Sequence, residues 1–95
     1  MINLTVRFQA SEGKVEDLGK ALSRLEDSSR KDAGCLQYDV FVAGQGRFLL
    51  IERWQDRQSL DAHLALKHVA AFRSDAAALM ACEPELLEWQ PLTRN

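Results

Sequence analysis

Three side chains that can do chemistry fall close together in the middle of the sequence. Glu52 and Trp54 end an apolar run and are spaced two apart, which places them on one face of a strand. His63 follows in a segment where Leu60 and Leu64 recur at helical spacing, so its ring lies on or beside a buried stripe. An imidazole with an ordinary pKa of about 6.5 can accept a proton near neutral pH, and an indole can pack on an aromatic ligand.

Each of these residues also has a purely structural interpretation. His63 is either a buried histidine satisfied by a carbonyl or a carboxylate, or a proton acceptor in a cavity. Trp54 is either plain core or a platform for a ligand. Glu52 is costly on an apolar face unless it is paired or belongs to a pocket. Three further residues are weaker candidates for substrate binding, and the last of them also fits a solvated helix face: Tyr38, Phe72 and Arg73.

The sequence shows no established motif for a metal, nucleotide or thiol-redox site. His63 and His68 are five residues apart, which on one continuous helix is about 140° of rotation, so we expect no metal site from this pair. A Gly-x-Ser-x-Gly elbow, a glycine-rich phosphate loop and a Cys-x-x-Cys pair are all absent from the sequence. We expect Cys35 and Cys82 to be free thiols.

Composition narrows the class of protein. Of the 95 residues, 46% are apolar, and 12 basic residues face 14 acidic ones for a net charge of −2. Without a basic run, the chain lacks the electrostatic footprint of a nucleic-acid binder. It begins without a basic n-region, and nowhere do eighteen apolar residues run together. We therefore expect a soluble cytoplasmic protein with neither a nucleic-acid nor a membrane partner.

The elements that must position these residues are readable from periodicity. A strand over 2–8 is followed by a helix between Gly13 and Gly34. Two strands over 35–42 and 47–54 come next and are joined by a short glycine-bearing loop. Helical segments with a kink or break at 65–68 then lead to a last strand over 85–92. Asp56 is the expected N-cap of the second helical region, and Pro84 is expected to stop it. This order predicts one α+β domain over 1–95, with the ferredoxin-like βαββαβ pattern and an antiparallel sheet.

Strand three is apolar on both of its faces. Leu49 and Ile51 point to one side of the sheet, whereas Leu50 and Glu52 point to the other. If helices cover one side, the second side also needs a cover. We expect that cover to be a second copy of the chain, which gives a homodimer in which two sheets close on each other.

The sequence resembles the antibiotic biosynthesis monooxygenase (ABM) family, which includes quinol monooxygenases. The resemblance covers nearly the whole chain and is carried by segments 13–14, 34–38, 48–54, 60–64 and 68–72 together with Asp56. It implies a ferredoxin-like subunit that forms a dimeric α+β barrel, with a pocket between sheet and helices. In the family, the electron-rich ring of the substrate itself reduces dioxygen, so neither a flavin nor a metal is needed.

The activity implied by the resemblance is a cofactor-independent monooxygenase that acts on a small aromatic quinol or polyphenol, with dioxygen as co-substrate. Trp54 would pack on the ring, and His63 would accept or orient the phenolic proton. A related branch degrades haem with an asparagine, a tryptophan and a histidine, but the matching positions hold Val6, His63 and Arg73, so we do not expect that activity. Two alternatives stay open: a small-molecule-binding module without turnover, and an isomerase of a small carbonyl compound.

Overall fold

The structure, a computed structural model, describes residues 1–93. Its elements are β1 (Ile2–Gln9), α1 (Val15–Ser29), β2 (Cys35–Ala43), β3 (Arg47–Trp54), α2 (Arg57–Leu64), α3 (Lys67–Ala77) and β4 (Glu85–Trp89). The predicted α+β class and ferredoxin-like order are confirmed, and the second helical region is divided into α2 and α3.

Four strands form one antiparallel sheet in the order β2-β3-β1-β4. Glu52 on β3 lies opposite Leu4 of β1 on one side and opposite Tyr38 of β2 on the other. Because directly paired residues point to the same face of a sheet, these three side chains all face the helices. The alternation of β1 and β3 therefore fixes which residues the helices cover.

The core lies between this face and the helices. β1 contributes Leu4, Val6 and Phe8, and α1 contributes Leu18 and Leu22, both of which are fully buried. Leu18 and Leu22 are four residues apart, so they lie on one stripe of the helix. Burying a leucine side chain stabilises a fold by about 1.5 to 3 kcal/mol, which makes this stripe the main attachment of α1.

The connection after α1 differs from the sequence prediction. Gly34 is predicted to close the first helix, but the helix ends at Ser29. Gly34 has a φ of 80°, and a Cβ atom built on it would clash with the side chain of Ser59. Its carbonyl also accepts a hydrogen bond from the backbone N–H of Gln55 at 2.8 Å. The glycine therefore permits a close approach of this turn to the start of α2, rather than capping a helix.

α2 begins at the predicted N-cap, where the Asp56 carboxylate accepts the backbone N–H of Ser59 at 2.8 Å. The helix is short because Leu66 has an extended backbone, with φ −76° and ψ 151°, and α3 starts anew from it. The predicted break at 65–68 is thus a real interruption between two helices.

The prediction that Pro84 ends the helical region was wrong, because α3 already ends at Ala77. After α3 the backbone makes two long-range hydrogen bonds instead of continuing the helix. The N–H of Ser11 donates to the carbonyl of Leu79 at 2.9 Å, and the N–H of Ala81 donates to the carbonyl of Gln9 at 2.8 Å. These bonds tie the segment after α3 to the end of β1. β4 is also shorter than the predicted strand, and it lies at an edge of the sheet.

Candidate functional site

A group of polar side chains, here called the polar cluster, lies between the helix-covered face of the sheet and α2. Its members are Asp32, Glu52, Trp54, His63 and His68. The fully buried indole of Trp54 donates its Nε1–H to Oε1 of Glu52 at 2.9 Å. Burial raises the pKa of Glu52, although the hydrogen bond from Trp54 opposes the shift. The structure thus places a carboxyl group inside the core with the indole N–H as its hydrogen-bond donor.

His63 is held on two sides. Its Nδ1 atom lies 2.7 Å from Oδ2 of Asp32, and its ring lies 4.4 Å from the Trp54 ring, centroid to centroid, at 36° between the planes. Because a carboxylate oxygen accepts hydrogen bonds, this contact favours the tautomer with the proton on Nδ1 and a lone pair on Nε2. The residue is only 2% exposed, so its ring faces packed side chains rather than an open cavity.

The protonation state of His63 follows from its surroundings. Burial lowers the pKa of the imidazole below its ordinary value, and the hydrogen bond and charge of Asp32 oppose this shift without reversing it. The ring is therefore neutral at neutral pH. A neutral imidazole whose lone pair is oriented by a carboxylate can act as a general base.

His68 reaches the same carboxylate from the start of α3. Its Nε2 atom lies 3.0 Å from Oδ2 of Asp32, and its ring centroid lies 5.9 Å from that of His63. The spacing argument against a histidine pair assumed one continuous helix, and that assumption is wrong because the chain breaks between α2 and α3. The structure therefore brings His63 and His68 to the same carboxylate, although the sequence predicted them on different sides of one helix.

Tyr38 closes the cluster from β2. Its ring meets Trp54 edge to face at 6.3 Å and His63 at 5.6 Å. Burial, and to a smaller extent the charge of Glu52, raises the pKa of Tyr38 far above its ordinary value. The phenol thus stays protonated and serves as a wall of the cluster rather than as a source of charge.

The two other predicted site residues lie elsewhere. Phe72 packs edge to face on Phe8 with 6.0 Å between ring centroids, and Arg73 is exposed on α3. Both line a cleft of about 620 Å³ that Met80, Cys82 and Pro84 also border. The predicted residues therefore fall into two groups, with His63, Trp54, Glu52 and Tyr38 in the core and Phe72 and Arg73 at this cleft.

Asp32 and His68 are the members of the polar cluster that sequence reasoning missed. Asp32 lies in the turn that leads to Gly34, where a short acidic residue looks like an ordinary turn former. The one usable signal was Gly34 itself, since a glycine at positive φ brings this turn against the start of α2.

Within the residues that the structure describes, no helix is both long enough and apolar enough to cross a membrane.

Comparison with known proteins identifies the family. The family model for antibiotic biosynthesis monooxygenase matches residues 1–75. The crystal structure of PA3566 from Pseudomonas aeruginosa is similar, with 30% identity, a TM-score of 0.89 and coverage of 97% of this chain and 94% of that one. No curated protein sequence matches this chain significantly.

Two other solved structures share the fold. One is a crystal structure of an antibiotic biosynthesis monooxygenase with 23% identity, a TM-score of 0.90 and coverage of 98% of this chain and all of the other. The second is Rv0793 from Mycobacterium tuberculosis, with 23% identity, a TM-score of 0.89 and coverage of 98% and 96%. With a family match over most of its length and a common fold, the chain belongs to the antibiotic biosynthesis monooxygenase family.

Proposed function

We propose that this protein is a cytoplasmic, cofactor-independent monooxygenase that oxidises a small aromatic quinol or polyphenol with dioxygen. The observation that carries the proposal is the geometry of the His63 imidazole, which is oriented by Asp32 at 2.7 Å and packs against Trp54 with 4.4 Å between ring centroids. Family membership supports the reaction class. In this role His63 accepts the phenolic proton, and Trp54 packs on the substrate ring.

The reaction balances without an added reductant. His63 takes a proton from the quinol, and the electron-rich anion transfers electrons to dioxygen. One oxygen atom bonds to a ring carbon, the O–O bond breaks, and the other oxygen atom leaves as water. A hydroquinone and dioxygen thus give a hydroxyquinone and water, with all four electrons supplied by the substrate. The protein's contribution is to bind the ring, remove the proton and hold the partners together.

Access to the polar cluster requires α2 to move, since His63 is packed. α2 buries only Leu60 and His63, and its exposed Arg57 makes an ion pair with Glu88 of β4 at 2.8 Å. Short helices with few buried side chains open at lower free energy than the rest of a domain. We therefore propose that α2 and the adjoining break at 65–66 open to admit the substrate.

The cleft beside α3 gives Phe72 and Arg73 a role in the same proposal. An aromatic wall can pack on the ring of a phenol, and an exposed guanidinium can donate a hydrogen bond to its hydroxyl oxygen. We propose that substrate makes its first contact with the protein there.

A homodimer is part of the proposal. The face of the sheet away from the helices carries Leu49 and Ile51 at its centre, with Phe41 51% exposed, Leu87 42% exposed and Trp89 52% exposed around them. Large exposed apolar side chains on one face, here interspersed with charged ones, support an isologous interface with a second copy. Light scattering at micromolar concentration tests this directly, and a monomeric mass would contradict it.

The test of the activity is oxygen uptake with a panel of hydroquinones and polyphenols, for the wild type and for His63→Ala. We expect uptake above the buffer rate with at least one compound, and loss of most of it in the variant. Uptake by neither protein with any compound would end the monooxygenase proposal. Conversion that continues without oxygen would favour the isomerase, and binding without product would favour the binding module.

A further inference from the structure

Three metal-ligand atoms converge where α2 gives way to α3. Oδ2 of Asp32, Nδ1 of His63 and Nε2 of His68 all lie within 4.8 Å of one another. Two imidazoles and one carboxylate are a ligand set that zinc and other divalent first-row metals accept. We propose that Asp32, His63 and His68 form a binding site for a divalent transition-metal ion of the zinc class.

The two distances from the Asp32 oxygen are close to those that such an ion needs, and the two histidine nitrogens lie within 4.8 Å of each other. Ligand atoms about 2.0 to 2.1 Å from a tetrahedral zinc ion lie about 3.3 Å from one another. Oδ2 of Asp32 is now 2.7 Å from the His63 nitrogen and 3.0 Å from the His68 nitrogen, so both contacts need only lengthen slightly. The ring of His68 has room to adjust because its side chain is 29% exposed, whereas Trp54 and Tyr38 fix the ring of His63.

The burial of the three ligands describes a site that is open on one side. The side chains of His63, Asp32 and His68 are 2%, 11% and 29% exposed. An ion would therefore arrive from the solvent beside His68 and keep a coordination position there for water, as zinc sites with three protein ligands do.

Metal binding has a consequence that rests on the proposed function. An ion on Nδ1 of His63 displaces the proton that Asp32 now accepts, so the neutral ring carries its proton on Nε2. In that state His63 has no lone pair left with which to accept a phenolic proton. We therefore expect the ion to inhibit the oxygenase reaction, whereas the binding itself does not depend on any activity.

The test is a zinc titration of the full-length, chelator-stripped protein against a chromophoric competitor. We expect one ion per subunit, and a dissociation constant raised at least about tenfold in His68→Ala, since even residues that only support metal ligands contribute about 10- to 100-fold. Asp61→Asn is the matched control, because Asp61 is an exposed carboxylate on α2 outside the polar cluster. Circular dichroism verifies that both variants are folded.

Cobalt distinguishes this site from a thiolate site. The backbone N–H of Cys35 donates to the Asp32 carbonyl at 3.1 Å, so the thiol of this residue is a competing ligand to control for. We expect Co²⁺ to give d–d bands without thiolate charge transfer, and Cys35→Ser to bind as the wild type does. Absence of zinc binding, equal binding by His68→Ala, or loss of binding in Cys35→Ser would each overturn the proposal. These readouts stand whether or not the protein consumes oxygen.

Discussion

The two faces of the sheet depart in different ways from what a stable monomer needs. The mostly apolar covered face buries ionisable groups against the helices, and the open face leaves large apolar groups exposed. On the helix-covered face, Glu52 and His63 are buried at 5% and 2% exposure within the core. On the other face, Phe41 and Trp89 are about half exposed, and the Trp89 indole donates to the Thr5 hydroxyl at 2.6 Å. A domain of this size that was built only for stability as a monomer would do neither, because buried polar groups cost free energy and exposed apolar area contributes none.

This difference indicates that the two faces have different functions. The covered face accepts a loss of stability to hold groups with perturbed pKa values, which is typical of sites that carry chemistry. The open face keeps apolar area that becomes useful only when a second copy covers it. We therefore expect substitutions on the covered face to change activity and those on the open face to change assembly.

The largest effect on activity without an effect on assembly is expected from His63→Gln. This substitution removes the imidazole while keeping a polar side chain of similar length. We expect kcat/KM for quinol oxidation to fall by about 10² to 10⁴, the usual contribution of a positioned general base. The dimer mass should not change. Oxygen-uptake kinetics and light scattering on the same preparation measure both quantities. Full activity in this variant would show that His63 only fills space.

The complementary change is Ile51→Asp at the centre of the open face. An unpaired charge buried in an interface costs about 3 to 5 kcal/mol, so we expect the dimer to weaken by about 100-fold or more. Sedimentation velocity over a dilution series measures this. Ala70→Asp adds the same charge on the exposed surface of α3 and should leave the dimer intact. Equal dissociation constants for the two variants would show that the open face is not the interface.

Trp54→Phe is expected to have a smaller effect than the two substitutions above, and to change stability and substrate binding but not the dimer. The substitution keeps an aromatic ring beside His63 but removes the N–H that Glu52 accepts. We expect a loss of about 1 to 3 kcal/mol in unfolding free energy from the unsatisfied carboxyl group, together with a rise in KM larger than the fall in kcat. Urea unfolding and steady-state kinetics separate the two. An unchanged KM would remove Trp54 from substrate binding.

The smallest effect is expected from Glu52→Gln, which should change the free energy of unfolding by an amount that depends on pH. Burial raises the pKa of Glu52 above its ordinary 4.5, so the folded protein holds this proton more tightly than the unfolded chain does. The resulting stability is fully present below pH 4.5 and is lost as the pH rises through the raised pKa. At neutral pH we expect the glutamine variant to be more stable by about 1 kcal/mol, since a neutral amide costs less to bury.

Urea denaturation between pH 4 and pH 8 measures this difference. The advantage of Glu52→Gln should shrink as the pH falls and the wild-type carboxyl group becomes protonated. A difference in stability that does not vary with pH would contradict the account of Glu52 as a carboxyl group destabilised by burial.

Much of the fold could be predicted because its signals are local. Alternation located β1 and β3, and Asp56 marked the start of α2 through one side-chain contact with Ser59. The end of α3 could not be read, because bonds from Ser11 and to Gln9 decide it across a long stretch of chain. That residues 1–95 form one domain stays a prediction.

The candidate site could be predicted only in part, because some of its residues are brought together by contacts between distant parts of the chain. The periodicity of α2 and β3 gave His63 and Trp54, since each lies on the buried stripe of its own element. Asp32 and His68 join them only because the helix is interrupted and the turn at Gly34 approaches α2. Neither event leaves a periodic signal in the sequence.

The proposed oxygenase reaction is tested most directly by oxygen-18 labelling of a quinol turnover by the chelator-stripped wild-type protein. We predict one labelled oxygen atom in the product and one in water, with no added flavin, metal or reductant, and little product from His63→Gln. Product whose new oxygen derives from solvent water, or equal product from the His63→Gln variant, would contradict an oxygenase in which His63 accepts the substrate proton.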